Sequence, residues 1–341
     1  MRVPLRVFLY LAIISVVIFG ILLIMSYFRV TQQVVDAAGT RINTDIHLSI
    51  ILPNEGDAFF QDLSEGAQTE ALRQETALEF LYYSSPGEEP GLLLRQARWI
   101  QTDGVLVFLP EENSFTQEIT DLQTAGIPVI TVINDNPLSG RTAHLGFDAE
   151  GIARELVRLM LDNAVPDQQR WGIFIAAEEP GRAAWQAERM DSVIRSLLAA
   201  HPQIQLLPAR AVTPGYFAGE QETVRLLREE SNVSGIIVAV PQTLSGVVYG
   251  LIDQHRLGDV AVAGMDMGTG VADAIRRNLL SGSIYRFPEQ IGRSGVQALV
   301  QAVQGESVPE YQDLAYSAID SRNISRFLGP GKASTPEGLD G

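Results

Sequence analysis

The longest unbroken apolar run lies near the amino end, where the 22 residues between Arg6 and Arg29 (VFLYLAIISVVIFGILLIMSYF, 7–28) carry no charge. As a helix this run extends about 33 Å, enough to cross a hydrocarbon core. Arg2 and Arg6 precede it and Arg29 follows, a bias that puts the amino terminus inside and the rest of the chain outside. A cleaved secretory signal is the alternative. Its apolar core is usually ~7–15 residues, and the cleavage-like Val35-Asp36-Ala37 lies well beyond the run. The pattern therefore predicts one anchor in 1–29 and a polar stalk over 30–45.

From His47 the pattern changes to short continuous apolar runs alternating with stretches of helical period. The runs HLSIIL (47–52), ALEFLYY (77–83), GVLVFL (104–109), PVITVI (128–133), WGIFIAA (171–177), IQLLPAR (204–210), GIIVAV (235–240) and VAVAGM (260–265) read as strands. Continuous rather than alternating apolarity is what strands covered on both faces require. Helical periodicity fills 57–74, 113–125, 148–163, 183–200, 219–230, 243–254 and 268–279. Such alternation predicts an α/β fold of parallel sheets joined by right-handed crossovers. The number of units exceeds one tidy sheet and fits two doubly wound parallel-sheet lobes.

In open parallel sheets ligands sit beyond the carboxyl ends of the strands, so the residues after each strand are the candidates. After the first come Asp57, a candidate helix cap, and the adjacent rings Phe59 and Phe60. Two neighbouring aromatics at a helix start do not easily both face a core, and a ring exposed in a cleft can stack on a flat apolar surface or a sugar face. After the fourth come Asn134 and Asp135, which can be either a polar ligand cluster or an ordinary turn. Asp266, after VAVAGM, offers a carboxylate to paired hydroxyls. Arg286 directly precedes Pro288, a residue suited to the first helical position, and can point into a cleft or out to solvent.

Composition narrows the function. There is no cysteine, which excludes thiol catalysis, thiolate metal sites, disulfides and a lipid anchor on an amino-terminal Cys. A net charge of −16 argues against nucleic acid as a partner. No G-x-S-x-G, H-E-x-x-H or P-loop motif occurs, the four histidines are scattered, and the Gly-rich GMDMGTG breaks the dinucleotide fingerprint. No catalytic residue, metal or cofactor is expected.

Three stretches together resemble the type I periplasmic binding protein family, in its ribose- and galactose-binding branch that serves sugar ABC transporters. They are Asp57-Ala58-Phe59-Phe60 with Gly66-Ala67; Gly126-Ile127-Pro128-Val129-Ile130 with His144-Leu145-Gly146-Phe147-Asp148; and Gly264-Met265-Asp266 with Gly282-Ser283-Ile284-Tyr285-Arg286-Phe287-Pro288 through Gly292. The resemblance covers roughly 47–325. It implies two lobes joined by a three-stranded hinge near 147–148, 286–288 and 314–316. Lobe 1 would be 46–147 plus 288–314, lobe 2 148–287 plus 315–325, and 326–341 a flexible tail. It implies further ligand contacts at Trp185, Arg189 and Gln242, and places Arg286 where the family often has a ligand-contacting Gln. The family's sugar-binding Asp-Arg falls instead on Ile133 and Asn134, and its Asn-Asp on Val240 and Pro241. The implied ligand is thus a sugar other than ribose, a sugar derivative or another small polar metabolite.

The expected function is a membrane-held, extracytoplasmic solute-binding receptor of a bacterial cell. It would serve an ABC permease or a sensor, the alternative being a ligand-sensing partner of a histidine kinase without transport. An enzyme on the same fold is the remaining class.

Overall fold

The computed structural model describes residues 46–327 except 54–57, 164–168, 180, 181, 184 and 269. The span 7–28, the stalk 30–45, Asp57 and residues 328–341 lie outside the described residues, as does the side chain of Trp185. Among the described residues no helix is long and apolar enough to cross a membrane.

The apolar runs pair in parallel, as their two-sided burial requires. The first sheet contains β1 (His47–Pro53), β2 (Ala77–Tyr83), β3 (Gly104–Phe108), β4 (Val129–Val132), β5 (Ala143–Gly146) and β13 (Tyr311–Asp313), in the order β13-β5-β4-β3-β1-β2. Every pairing in it is parallel, for example His47 against Ala77 and Leu48 against Gly104. On one face lie α1 (Ala58–Arg73) and α9 (Pro288–Val303); on the other lie α2 (Glu89–Trp99) and α3 (Thr116–Thr124). Helices α1 and α9 touch backbone to backbone. A Cβ on Gly66 would strike the Glu289 carbonyl, and one on Gly292 the Leu63 carbonyl. This close approach is the physical reason for glycine at both positions.

The second sheet runs β14-β12-β11-β10-β6-β7, with β8 (Ile204–Leu206) and β9 (Arg210–Val212) also pairing with β6. Its members are β6 (Gln169–Glu179), β7 (Arg182–Ala183), β10 (Gly235–Ala239), β11 (Ala261–Met265), β12 (Gly282–Tyr285) and β14 (Ser317–Ile319). One face is covered by α4 (Ala149–Leu161) and α5 (Trp185–Leu198). The other is covered by α6 (Tyr216–Glu229), α7 (Leu244–Asp253) and α8 (Val271–Arg276). The chain crosses between the two units three times: from β5 to α4, from β12 to α9 and from β13 to β14.

Three sequence expectations change. IQLLPAR is not one strand: the chain breaks at Leu207-Pro208, and its halves pair with different stretches of β6. The helix α2 was not anticipated, because Pro90 and Gly91 disguise it. Pro90 is tolerated in the first turn, and Gly91 lets the Phe115 ring approach. Phe327, assigned to the loose tail, instead packs against Phe287 and Tyr285 at ring-centroid distances of 6.2 and 6.3 Å.

Candidate functional site

The carboxyl ends of both sheets face one cavity of about 490 Å³. The first sheet contributes Pro53, Tyr83, Phe108 and the post-strand residues Ile133 and Asn134; the second contributes Ala176, Ala177, Thr213, Pro241 and Gln242. Phe59 and Phe60 at the start of α1, and Arg286 on the crossover from β12 to α9, complete the wall. Five of the ten expected contacts, Phe59, Phe60, Asn134, Gln242 and Arg286, therefore converge.

Both rings are nevertheless core residues, although two adjacent aromatics at a helix start do not easily share a core. Phe59 and Phe60 are 8% and 4% exposed and sit edge-to-face at 5.3 Å, with Phe60 also edge-to-face on Phe108 at 4.9 Å. The perpendicular arrangement lets neighbouring rings fill one space. Tyr83 lies beside them, its hydroxyl donating to the Phe108 carbonyl at 3.2 Å and its pKa raised by burial.

Asp266 and Arg286 also depart from expectation, because they face each other. Arg286 Nε and Nη2 donate to the two carboxylate oxygens of Asp266 at 2.7 Å each, and the Gln242 backbone N–H donates to Oδ2 at 3.1 Å. The guanidinium lies 4.4 Å from the Phe59 ring centroid and 5.6 Å from that of Phe147. Only 3% of Arg286 is exposed, so a forked pair with cation–π support fixes it. Asp266 thus lies behind the cavity wall. It borders a small adjoining pocket of about 80 Å³ that shares Phe59 and Gln242 with the main one. Its carboxylate orients Arg286, whose Nη1 makes no hydrogen bond among the described residues.

The other polar groups on the wall are few. The Asn134 amide N–H donates to the carbonyls of Leu109 and Pro110 at 2.8 and 3.3 Å, leaving its oxygen as the acceptor. The Gln242 side-chain amide has no partner among the described residues. Ile133, Gln242 and Asp266 all have positive φ, at 69, 59 and 71°. For a β-branched residue such as Ile133 this is a true outlier, and strained backbone of this kind collects at ligand sites.

Asp135 and Arg189 lie elsewhere, in a larger and more open cleft of about 870 Å³ beside the first and third crossovers. Asp135 is held there by Arg141 and by Thr131, whose hydroxyl donates to it at 3.0 Å. With that proton committed, the Thr131 oxygen accepts from His144 Nδ1, also at 3.0 Å, which fixes the neutral tautomer. Burial is the main reason the His144 pKa falls to about 4, despite the opposing pull of Asp135. Burial raises the Asp135 pKa, but Arg141, His144 and Thr131 outweigh it and hold the net value below the usual carboxylate range. Arg189 pairs with Glu150 in the same cleft. Between the two spaces, Gln186 of α5 donates to Glu112 from the other unit, and both residues line both spaces.

Sequence reasoning missed Tyr83, Phe108, Glu112 and Gln186. The first two end β2 and β3, so inspecting the ends of those strands would have found them; nothing local to either sequence signals the Glu112–Gln186 contact. No cluster of three or more His, Cys, Asp or Glu side chains suited to a metal occurs among the described residues.

The family described as "Periplasmic binding protein domain" matches residues 48–307. No curated protein matches the chain. Solved structures match across the fold. An ABC transporter periplasmic solute-binding protein from Actinobacillus succinogenes with bound D-allose aligns at TM-score 0.75 and 16% identity, covering 83% of this chain and 100% of that one. An ABC transporter solute-binding protein from Burkholderia graminis in complex with D-arabinose aligns at 0.75 and 20% identity, covering 83% and 97%. A third, from Agrobacterium vitis and bound with α-D-tagatopyranose, aligns at 0.71 and 19% identity, covering 83% and 99%. At these identities the likeness is one of fold.

Proposed function

Because this chain belongs to the periplasmic binding protein domain family, we propose that it is an extracytoplasmic receptor whose two lobes close on one small polar ligand, a sugar or sugar derivative. The observation that carries this reading is the single cavity of about 490 Å³ walled by strand ends of both sheets. A ligand touching both walls favours the closed arrangement by its differential affinity for it.

The geometry supports a role for each of these residues. Phe59, Phe60, Phe108 and Tyr83 offer an apolar wall for the carbon face of a ring. Arg286 Nη1, the Gln242 amide and the Asn134 oxygen offer donors and acceptors to its hydroxyls. Asp266 acts through Arg286, holding the guanidinium in place. The monosaccharides named for the structural neighbours support a sugar-sized guest. Their transporter descriptions support delivery to an ABC importer. The uncharged stretch 7–28 supports tethering to the cell membrane, with the binding domain outside.

The test is mass spectrometry of small molecules released from the purified full chain, followed by a thermal-shift panel of neutral monosaccharides that includes the released compound. A ligand that binds only the native state raises its apparent stability. One monosaccharide or derivative that both co-purifies and raises the melting temperature is expected; its chemical turnover on rebinding would sink the receptor reading.

A further inference from the structure

We propose that the amino edge of the first sheet is a lipid-docking surface, with Trp99 as its anchor in the membrane interface. The proposal rests on the reading of 7–28 as a membrane span.

The described chain begins at the amino edge of the first sheet, at the end of β1 remote from the cavity. Hydrogen bonds hold this entry point between two helix-to-strand turns. Ala77 N–H donates to the Ile46 carbonyl at 3.0 Å, His47 N–H to the Asp103 carboxylate at 2.7 Å, and Asp103 N–H to the His47 carbonyl at 2.7 Å. The same two turns carry exposed apolar side chains. Trp99, at the last position of α2, is 84% exposed, Ile100 next to it 36%, and Leu72 at the end of α1 56%. Arg73 and Arg98 are exposed beside them. Thus, among the described residues, the largest apolar side chain left open to solvent stands four residues from Asp103, the group that grips the entry strand.

A tryptophan held in water loses burial that a tryptophan at a headgroup boundary regains, because its ring is apolar and its N–H stays wet. Long arginines at the same edge can keep their charge among the headgroups while their stems lie on apolar surface. Three side chains would bind a free vesicle weakly. Here the bilayer is not free: the 16 residues 30–45 separate the predicted span from the fold, and fully extended they reach at most about 55 Å. Confinement at that range gives a weak contact a high effective concentration. The entry edge therefore faces the bilayer, and the cavity, at the other end of a seven-residue strand, stands on the order of 20 Å farther out.

The chain has no cysteine, so single labels are unambiguous. Full-length chain carrying Ile100→Cys or, as control, Gln117→Cys near the opposite edge is labelled with an environment-sensitive fluorophore. It is reconstituted into phosphatidylcholine vesicles containing a headgroup-depth spin-labelled lipid, and the vesicles are washed in alkaline carbonate. Docking requires that the label at 100 lose most of its emission, that the label at 117 stay bright, and that adding Trp99→Ser restore the emission at 100. Equal brightness at both positions in chain that resists the wash would overturn the docking surface and leave the span intact. Quenching at 100 that persists with Trp99→Ser would overturn the anchor. Release of the chain by carbonate would overturn the span, and the docking with it.

Discussion

The two spaces on either side of the Glu112–Gln186 contact differ in a way that size alone misjudges. The outer cleft is larger, about 870 against 490 Å³, and richer in charge. Yet most of its charges already have partners, Asp135 in Arg141 and the Thr131 hydroxyl, Asp148 in Arg154 and Glu150 in Arg189, which leaves the exposed Asp313 at its edge. The inner cavity has fewer polar groups, but it keeps Arg286 Nη1 and the Gln242 amide unused among the described residues, against a wall of rings. A binding site is distinguished by unsatisfied, fixed groups beside apolar surface, and a structural cleft by groups that satisfy each other.

The sharpest way to break this contrast is to remove the fixed cation of the inner cavity. Arg286→Ala leaves the Asp266 carboxylate buried without its partner, and a loss of roughly 3–5 kcal/mol is expected, as for other broken buried pairs. Chemical denaturation measures it. In the double variant with Asp266→Ala the loss should fall well short of the sum, because each single change already breaks the same pair.

The outer cleft answers to pH instead. His144 has a folded pKa of about 4 against 6.5 when unperturbed, so between these values the unfolded chain binds the extra proton. Its contribution is therefore fully present above about pH 6.5 and is lost as pH falls through 4, up to about 3 kcal/mol for a shift of that size. Denaturation midpoints across this range should fall more steeply in the native chain than in His144→Phe. Asp135, also depressed, adds loss in the same direction at lower pH.

Two smaller effects separate the spaces by ligand affinity. Gln242→Ala removes an unpaired inner amide and should weaken binding of the co-purifying ligand by about 1–3 kcal/mol in calorimetry. Arg189→Ala, in the outer cleft, should leave that affinity within about 0.5 kcal/mol. A large effect at Arg189 would reverse the assignment of the two spaces.

The same contrast marks what the chain's letters could tell. The run GVLVFL coincides with β3 but for its last residue, because an interior strand covered on both faces has no option but continuous apolarity. Phe59, Phe60, Asn134 and Arg286 were legible from their places after strands and Gln242 from the resemblance, and all five line the inner cavity. Asn134 and Asp135 could not be told apart: one step along the turn carries the side chain from the inner cavity to the outer cleft. The Asp266–Arg286 pair was hidden for a different reason. The two are 20 residues apart, and only the β11–β12 register, with Met265 opposite Ile284, sets them side by side.

The claim that the two sheets close on a guest held between their strand ends is tested most directly by a distance. Spin labels at Gln117→Cys on α3 and Gln221→Cys on α6, in a chain with no other cysteine, report the separation of the two units by pulsed electron resonance. Adding the small molecule released from the protein should convert a broad, longer distribution into one narrow, shorter distance. An unchanged distribution at a ligand concentration that calorimetry shows to be saturating would contradict closure.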